Sequence, residues 1–264
     1  MNAKALALLA SPYTYPIRAI ASIALMVALV LLSITPLLVL GEEATFMHFA
    51  DHRMMFGLKN AADVLSNFGF LIAGALGLRA VGARHGTKRD DRTLHYLGFV
   101  VFGSVLATAF GSPYFHLNPN HESLLWDRLP MAIGFAGLVS LLIADRISAR
   151  AGRWSFAALA GFALWSISMW QVFEFSTPYS ALQAGSLVAV VLIAWLHPKG
   201  RLENRFIWLA SAGYLVAKLF EVSDAPLYEL TGFVSGHSLK HVMAALAIYA
   251  LAAAFEHIDR GVSK

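Results

Sequence analysis

His237 and His241 are four residues apart, a spacing that places two imidazoles on one face of an α-helix. Two histidines so placed can share one metal ion, as the two histidines of the metalloprotease motif His-Glu-x-x-His do. Here Ser238 follows His237, which excludes the glutamate base of that motif. The alternatives for such a pair are two hydrogen-bonded core histidines and the axial ligands of a haem.

A third candidate ligand, His116, lies at the end of an earlier apolar stretch. The chain contains no Cys, so a metal must be held by His, Asp or Glu. His116 would complete a three-histidine site with one position open for water, the arrangement of catalytic zinc. Ser112 lies one helical turn before His116, although Pro113 between them can bend this helix end. The alternatives are a helix-packing role for Ser112 and, for Asp127 beside Arg128, an interfacial ion pair.

The composition places these residues in a membrane protein. Of the 264 residues, 58% are apolar and only 14% are charged, against about 25% charged in an average soluble domain. So few charges cannot cover the surface of a soluble fold, which excludes soluble enzymes, nucleic-acid-binding proteins and disordered chains. A helix needs about 20 mostly apolar residues to cross a bilayer, and about eight stretches of the chain qualify. They are 19–40, 62–83, 93–115, 126–146, 153–173, 180–197, 204–222 and 236–257.

The positions of Lys and Arg predict the orientation of these spans. With the N-terminus inside, about 15 of the 20 Lys and Arg residues lie on the inner side, as the positive-inside rule expects. Both termini are then cytoplasmic. The third span then ends at the outer surface with Ser112 and His116, the fourth begins there with Asp127, and the eighth begins there with His237 and His241. Ionisable groups inside a membrane are costly and are candidates for function, so we expect these side chains to converge.

Together these residues resemble a known family. The third span ends in S-x-x-x-H, Asp127 follows His116 by eleven residues, and the last span carries H-x-x-x-H. This order, spacing and membrane side is similar to the pattern of the alkaline ceramidases. They belong to the CREST superfamily, which also contains adiponectin- and progestin-type receptors. The segment 63–67 resembles the first core helix of the family, and the resemblance covers roughly residues 51–257.

The resemblance implies an all-α, polytopic membrane helix bundle. Residues 62–264 would form its seven-helix core, and residues 1–61 an extra N-terminal helix with an outer loop. The implied function is a zinc-dependent hydrolase that cleaves an acyl amide bond of a ceramide-like lipid, with another acyl amide or ester as the alternative substrate. The short chain and the positive-inside bias predict a bacterial inner membrane, with the site towards its periplasmic side.

The resemblance also implies roles for the candidate site residues. Zinc would be ligated by His116, His237 and His241. Ser112 would stabilise the oxyanion or position the water, and Asp127 would bind the zinc water as proton acceptor or orienting group.

Alkaline ceramidases also bind calcium, through an acidic, Trp-containing segment before the first core helix. In this chain that segment lacks the Trp, and Asn60 stands where the family has an acid. The resemblance leaves Asp51, Asn60 and Asp63 as oxygen donors for calcium. The alternatives are a solvated polar loop and, at the start of the second span, a helix cap.

A non-enzymatic, receptor-like or lipid-binding bundle with a structural zinc is the main alternative function. An open fourth zinc position favours the enzyme, and a closed four-ligand shell favours the structural role. A haem-binding bundle is a third alternative, although two histidines four apart on one helix cannot easily reach opposite faces of a haem. For the hydrolase, the spans predict an apolar cleft between the third, fourth and eighth helices.

Overall fold

The structure of the protein is a computed structural model that describes residues 49–83 and 89–258. These described residues form nine helices and no regular strand. The helices are α1 (Ala61–Ser66), α2 (Phe68–Gly82), α3 (Arg89–Leu117), α4 (His121–Arg146), α5 (Ala149–Phe173), α6 (Thr177–Leu196), α7 (Asn204–Val222), α8 (Asp224–Thr231) and α9 (Gly236–Glu256). The predicted span 19–40 lies outside the described residues.

The helices confirm an all-α, polytopic membrane bundle. Within the described residues, six spans are long and apolar enough to cross a membrane: α1 with α2, α3, α4, α5, α6 and α9. A seventh candidate is α7 together with α8, which are bent by 73° at the break between them. Each predicted span inside the described residues is therefore a helix, and 204–222 reaches the criterion only with its bent continuation.

Side-chain caps begin α4, which carries Asp127, and α9, which carries His237 and His241. Asn120 accepts a hydrogen bond from the backbone N–H of Ser123 at 2.8 Å, and the Ser123 hydroxyl accepts one from the Asn120 N–H at 3.1 Å. Ser235 accepts from the backbone N–H of Ser238 at 3.0 Å. These bonds satisfy N–H groups that the helices themselves cannot pair. They fix where α4 and α9 begin.

Pro113 does not end α3. The helix continues through this residue to Leu117, so Ser112 and His116 stand one turn apart on the same helix.

The largest apolar cluster lies in the half of the bundle away from the candidate histidines. It includes Leu97, Phe102, Leu142, Ile193 and Leu251, each no more than 1% exposed. Because lipid chains are as apolar as leucine, close packing holds such helices together in a bilayer. The polar candidate residues lie at the other end of the bundle. This end contains the last turns of α3 and the first turns of α4 and α9, and is called here the histidine end.

Candidate metal centre

Three histidines meet at the histidine end. His116 comes from the last turn of α3, and His237 and His241 come from the first turns of α9. One ring nitrogen of each lies within 4.8 Å of the other two, and the Nε2 atoms of His116 and His237 are 3.3 Å apart. Ligand nitrogens around tetrahedral zinc are about 3.3–3.4 Å apart, given Zn–N bonds of about 2.0–2.1 Å. The nitrogen pair therefore fits two corners of such a site.

The three imidazoles, called here the histidine cluster, are largely withdrawn from solvent. His116 and His241 are buried and His237 is half-buried. Only one proton can lie between the two facing Nε2 atoms, whereas a metal ion would engage both lone pairs. The ring centroids of His237 and His241 are 4.9 Å apart, and both rings contact His116. This leaves no room for a haem between them.

The Ser66 hydroxyl sets the orientation of the His241 ring. Ser66 Oγ donates to the carbonyl of Asp63 at 2.9 Å and lies 2.8 Å from His241 Nδ1. With its own proton on that carbonyl, the Ser66 oxygen can accept a hydrogen bond from Nδ1–H, and the Nε2 lone pair of His241 is then available for a metal ion. A partner of this kind on the outer nitrogen is typical of metal-bound histidine.

Asp63 joins α1 to the start of α9. Its Oδ1 accepts from the hydroxyls of Ser238 at 2.6 Å and Ser235 at 3.3 Å. The carboxylate is fully buried, and its Oδ2 has no hydrogen-bond partner among the described residues. Negative charge beside a helix N-terminus is favourable. The contact fixes the turn of α9 that presents the histidines.

Asp224 performs a similar role from α8. Its Oδ1 accepts from the backbone N–H of His237 at 2.7 Å, and its Oδ2 accepts from that of Ala50 at 3.0 Å. Gly236 is required here, because a Cβ at this position would overlap the backbone of Asp224 and the carbonyl of Phe220. The bend between α7 and α8 thus places a carboxylate directly on the first turn of α9.

Phe49 covers the histidine cluster. Its ring centroid lies 4.7 Å from those of both His116 and His237, and the residue is buried. This contact could not be predicted from the sequence, because Phe49 lies in the loop before the first core helix.

Ser112 and Asp127 form a second polar pair beside the histidine cluster. The Ser112 residue is buried, and its hydroxyl lies close enough to the Asp127 carboxylate to act on it. The helices approach closely here because a Cβ on Gly111 would overlap the carbonyl oxygen of Trp126. Among the described residues, the candidate ligand atoms that lie within 4.8 Å of one another belong to the three histidines, and the Asp127 carboxylate is not one of them. The structure therefore pairs Ser112 with Asp127 but leaves Asp127 outside the ligand group.

Arg128, beside Asp127 in the sequence, is buried among aromatic rings. Its guanidinium carbon lies 4.5 Å from the ring centroid of Trp170 and 4.9 Å from that of Tyr179. Cation–π contacts of this kind stabilise a desolvated guanidinium.

The residues considered for calcium have separate protein partners. Arg53 engages both oxygens of Asp51, at 2.9 Å from Nε to Oδ1 and 2.6 Å from Nη2 to Oδ2. This contact holds the pKa of the Asp51 carboxyl below its usual range. Asn60 donates from its side-chain amide to the carbonyl of His116 at 2.8 Å, while Asp63 holds the start of α9. A calcium ion at Asp51 would have to displace the guanidinium.

An apolar cavity of about 140 Å³ lies beneath the polar residues. Its lining includes Thr108, Pro130 and Ala244, each about one turn further into the bundle than Ser112, Asp127 and His241 respectively. These lining residues belong to α3, α4 and α9, which confirms the predicted cleft between the third, fourth and eighth spans. Further walls come from α2, α6 and α7.

Comparison with the models of known protein families and with curated proteins finds no match for this chain. The functional argument therefore depends on the residues and on their arrangement.

Proposed function

We propose that this protein is a zinc-dependent membrane hydrolase that cleaves an acyl amide bond of a lipid. The observation that carries the proposal is a three-histidine cluster placed over an apolar cavity. Within the described residues, no Asp, Glu, Cys or further His shares this group. Three protein ligands leave a position for water or substrate, as in catalytic zinc sites.

The donor set favours zinc. Three neutral imidazoles suit zinc and similar transition metals, whereas calcium and magnesium prefer oxygen ligands. When bound, zinc would lower the pKa of a water ligand to about 7 and polarise an acyl carbonyl.

Asp127 is the proton acceptor in this proposal. It lies at the histidine end on α4, next to the Ser112 hydroxyl. Asp127 takes a proton from the water that attacks the acyl carbon and returns it to the amine nitrogen as the C–N bond breaks, as a general base and acid do. Ser112, fixed on the same helix as His116, keeps that carboxylate oriented.

The cavity binds the acyl chain. Its walls are almost entirely apolar, and it begins about one turn below Ser112, Asp127 and His241. A lipid whose chain enters this cavity places its polar linkage at the level of the polar residues. The distribution of Lys and Arg supports an orientation with the histidine end towards the outer leaflet and both termini in the cytoplasm.

Release of fatty acid from defined lipids tests the function. Purified protein would be incubated with a ceramide, an N-acylethanolamine and a lysophospholipid, so that amides are compared with an ester. We expect amide hydrolysis by the wild type and none by His116→Ala, while His52→Ala, which alters an exposed histidine, keeps the activity. Zinc binding without release of fatty acid from any amide would favour the receptor-like alternative.

A further inference from the structure

Charged side chains also gather between α6, α7 and α9. Lys240 Nζ lies 2.8 Å from Glu221 Oε1, and Lys218 Nζ pairs with the same carboxylate. Lys218 also donates to Gln183 Oε1 at 3.0 Å. These four residues, called here the lysine cluster, lie within candidate membrane spans, where charged groups are costly and usually functional.

Two members of the lysine cluster, Lys218 and Glu221, lie on the same face of α7 as the residues that line the cavity. Ile207, Ser211 and Tyr214 line the cavity, and Lys218 and Glu221 follow Tyr214 by four and seven residues. Positions four and seven apart lie on one face of a helix. The face of α7 that forms the cavity wall therefore ends in the two charged groups.

The same continuation occurs on α9 and α6. On α9, Ala244 and Ala247 line the cavity, and Lys240 precedes Ala244 by one turn, towards the histidine end. On α6, Ser186 lines the cavity, and Gln183 precedes it by three residues. The lysine cluster thus lies beyond the same end of the cavity as the histidine cluster.

The lysine cluster contains two positive charges and one negative charge. Two ammonium groups contact the one carboxylate of Glu221, and their side chains remain 37% exposed at Lys218 and 22% exposed at Lys240. Lys240 also acts electrostatically on Asp127 and on the three histidines. Both lysine side chains are thus only partly covered by the protein, so a further anion can reach them.

A polar group in the cavity wall supports a ligand at this position. The Tyr214 hydroxyl is buried and has no hydrogen-bond partner among the described residues. Tyr214 lines the cavity one turn below Lys218. A buried hydroxyl without a partner is costly, and a polar atom of a bound ligand would satisfy it.

We propose that Lys218 and Lys240 bind the anionic headgroup, a carboxylate or phosphate, of an amphiphile whose apolar chain occupies the cavity. Naming this amphiphile as the substrate rests on the proposed hydrolase function, whereas its binding does not. The preferred lipid then carries its negative charge on the same side of the molecule as its amide, because Lys240, His237 and His241 all lie in the first two turns of α9.

A matched pair of ligands tests the headgroup preference. N-palmitoylglycine and N-palmitoylethanolamine share the acyl chain and the amide and differ in a carboxylate against a hydroxyl. Their binding to the full chain in phosphatidylcholine nanodiscs would be measured by calorimetry, with EDTA present so that neither is cleaved. We expect the glycine amide to bind about 10- to 100-fold more tightly, as for hydrogen bonds to charged groups.

Variants that remove one lysine charge test whether Lys218 and Lys240 cause the preference for the carboxylate headgroup. Lys240→Met and Lys218→Met should each reduce that preference about tenfold or more, while the ethanolamide affinity stays constant and reports an intact cavity. Lys240→Arg should retain the preference, as should Lys59→Met, which removes a charge from an exposed loop lysine. Equal affinity of the wild type for both amides, no binding of either, or equal losses for both in Lys240→Met would overturn the proposal.

Hydrolysis of the two amides, measured separately with zinc present, distinguishes failure of this proposal from failure of the proposed function. Cleavage without a binding preference would overturn the headgroup assignment alone. Preferential binding without cleavage would support the headgroup site and contradict the hydrolase.

Discussion

The Ser66 hydroxyl and Nδ1 of His241 lie 2.8 Å apart, although 175 residues separate them in the sequence. This contact joins the segment before α2 to the helix that carries two of the three candidate ligands. It engages Nδ1 of the His241 ring, which leaves Nε2 as the nitrogen available to the histidine cluster. The geometry of the candidate metal centre therefore depends on a residue outside the ligand group.

Removing this hydroxyl should weaken metal binding. We expect Ser66→Ala to lower zinc affinity about 10- to 100-fold, the usual effect of losing a hydrogen-bond partner of a metal-bound histidine. Competition with a fluorescent zinc chelator measures the change. The matched control is Ser168→Ala, since Ser168 is exposed and its hydroxyl donates to the Leu164 carbonyl of its own helix. Equal zinc affinities for Ser66→Ala and the wild type would show that Ser66 does not position the ligand.

Asp127→Asn should separate proton transfer from metal binding. Because Asp127 lies outside the ligand group, the variant should keep its zinc while amide turnover falls about 10²- to 10⁴-fold. Glu122→Gln, which neutralises an exposed acid on the same helix, should leave turnover unchanged. Full activity of Asp127→Asn on a cleaved lipid would remove Asp127 from the mechanism.

Filling the cavity should change selectivity for chain length. Ala210 lines the cavity, so Ala210→Leu should reduce turnover of a palmitoyl amide much more than that of an octanoyl amide. Ala212→Leu places the same side chain on the exposed face of α7 and should leave the ratio of the two rates unaltered. An unchanged ratio in Ala210→Leu would mean that the acyl chain binds elsewhere.

The Arg53–Asp51 pair should make stability depend on pH. Since Arg53 lowers the pKa of the folded-state Asp51 carboxyl, the pair stabilises the fold above the unfolded pKa of about 3.9. That contribution is lost as the pH falls through the lower folded-state value. The Tm difference between wild type and Arg53→Gln should therefore be larger at about pH 7 than at about pH 3. A difference that grows on acidification would contradict this assignment.

The Arg53–Asp51 contact should also make the thermal stability of the protein insensitive to calcium. Because its guanidinium engages both oxygens of Asp51, millimolar calcium should leave the Tm of the wild type unchanged. A clear rise in Tm with calcium, and none with magnesium, would show that the ion displaces Arg53.

The sequence predicted the helices and the meeting of His116, His237 and His241. Hydropathy located the spans, and the assigned membrane side put all three histidines at one end of the bundle. The contacts of Asp63 and Asp224 with the start of α9 could not be predicted in this way. Such hydrogen bonds depend on how helices rotate and on the bend after α7, which apolar composition does not specify.

The lysine cluster shows a related limit of the sequence. Lys218 and Lys240 stand within predicted spans, but hydropathy does not indicate which way their helix faces point. Their spacing from Tyr214 and Ala244 becomes informative only when those residues are known to line one cavity. A search for charged residues that continue an apolar stripe at intervals of three or four would have found them.

The zinc content of the purified protein tests the central claim most directly. Inductively coupled plasma mass spectrometry should find about one zinc per chain in the wild type and almost none in His237→Ala, with both proteins folded by circular dichroism. His52→Ala should retain the zinc, because His52 is exposed and lies outside the histidine cluster. A folded wild type without zinc, or a His237→Ala variant that keeps its zinc, would contradict the account.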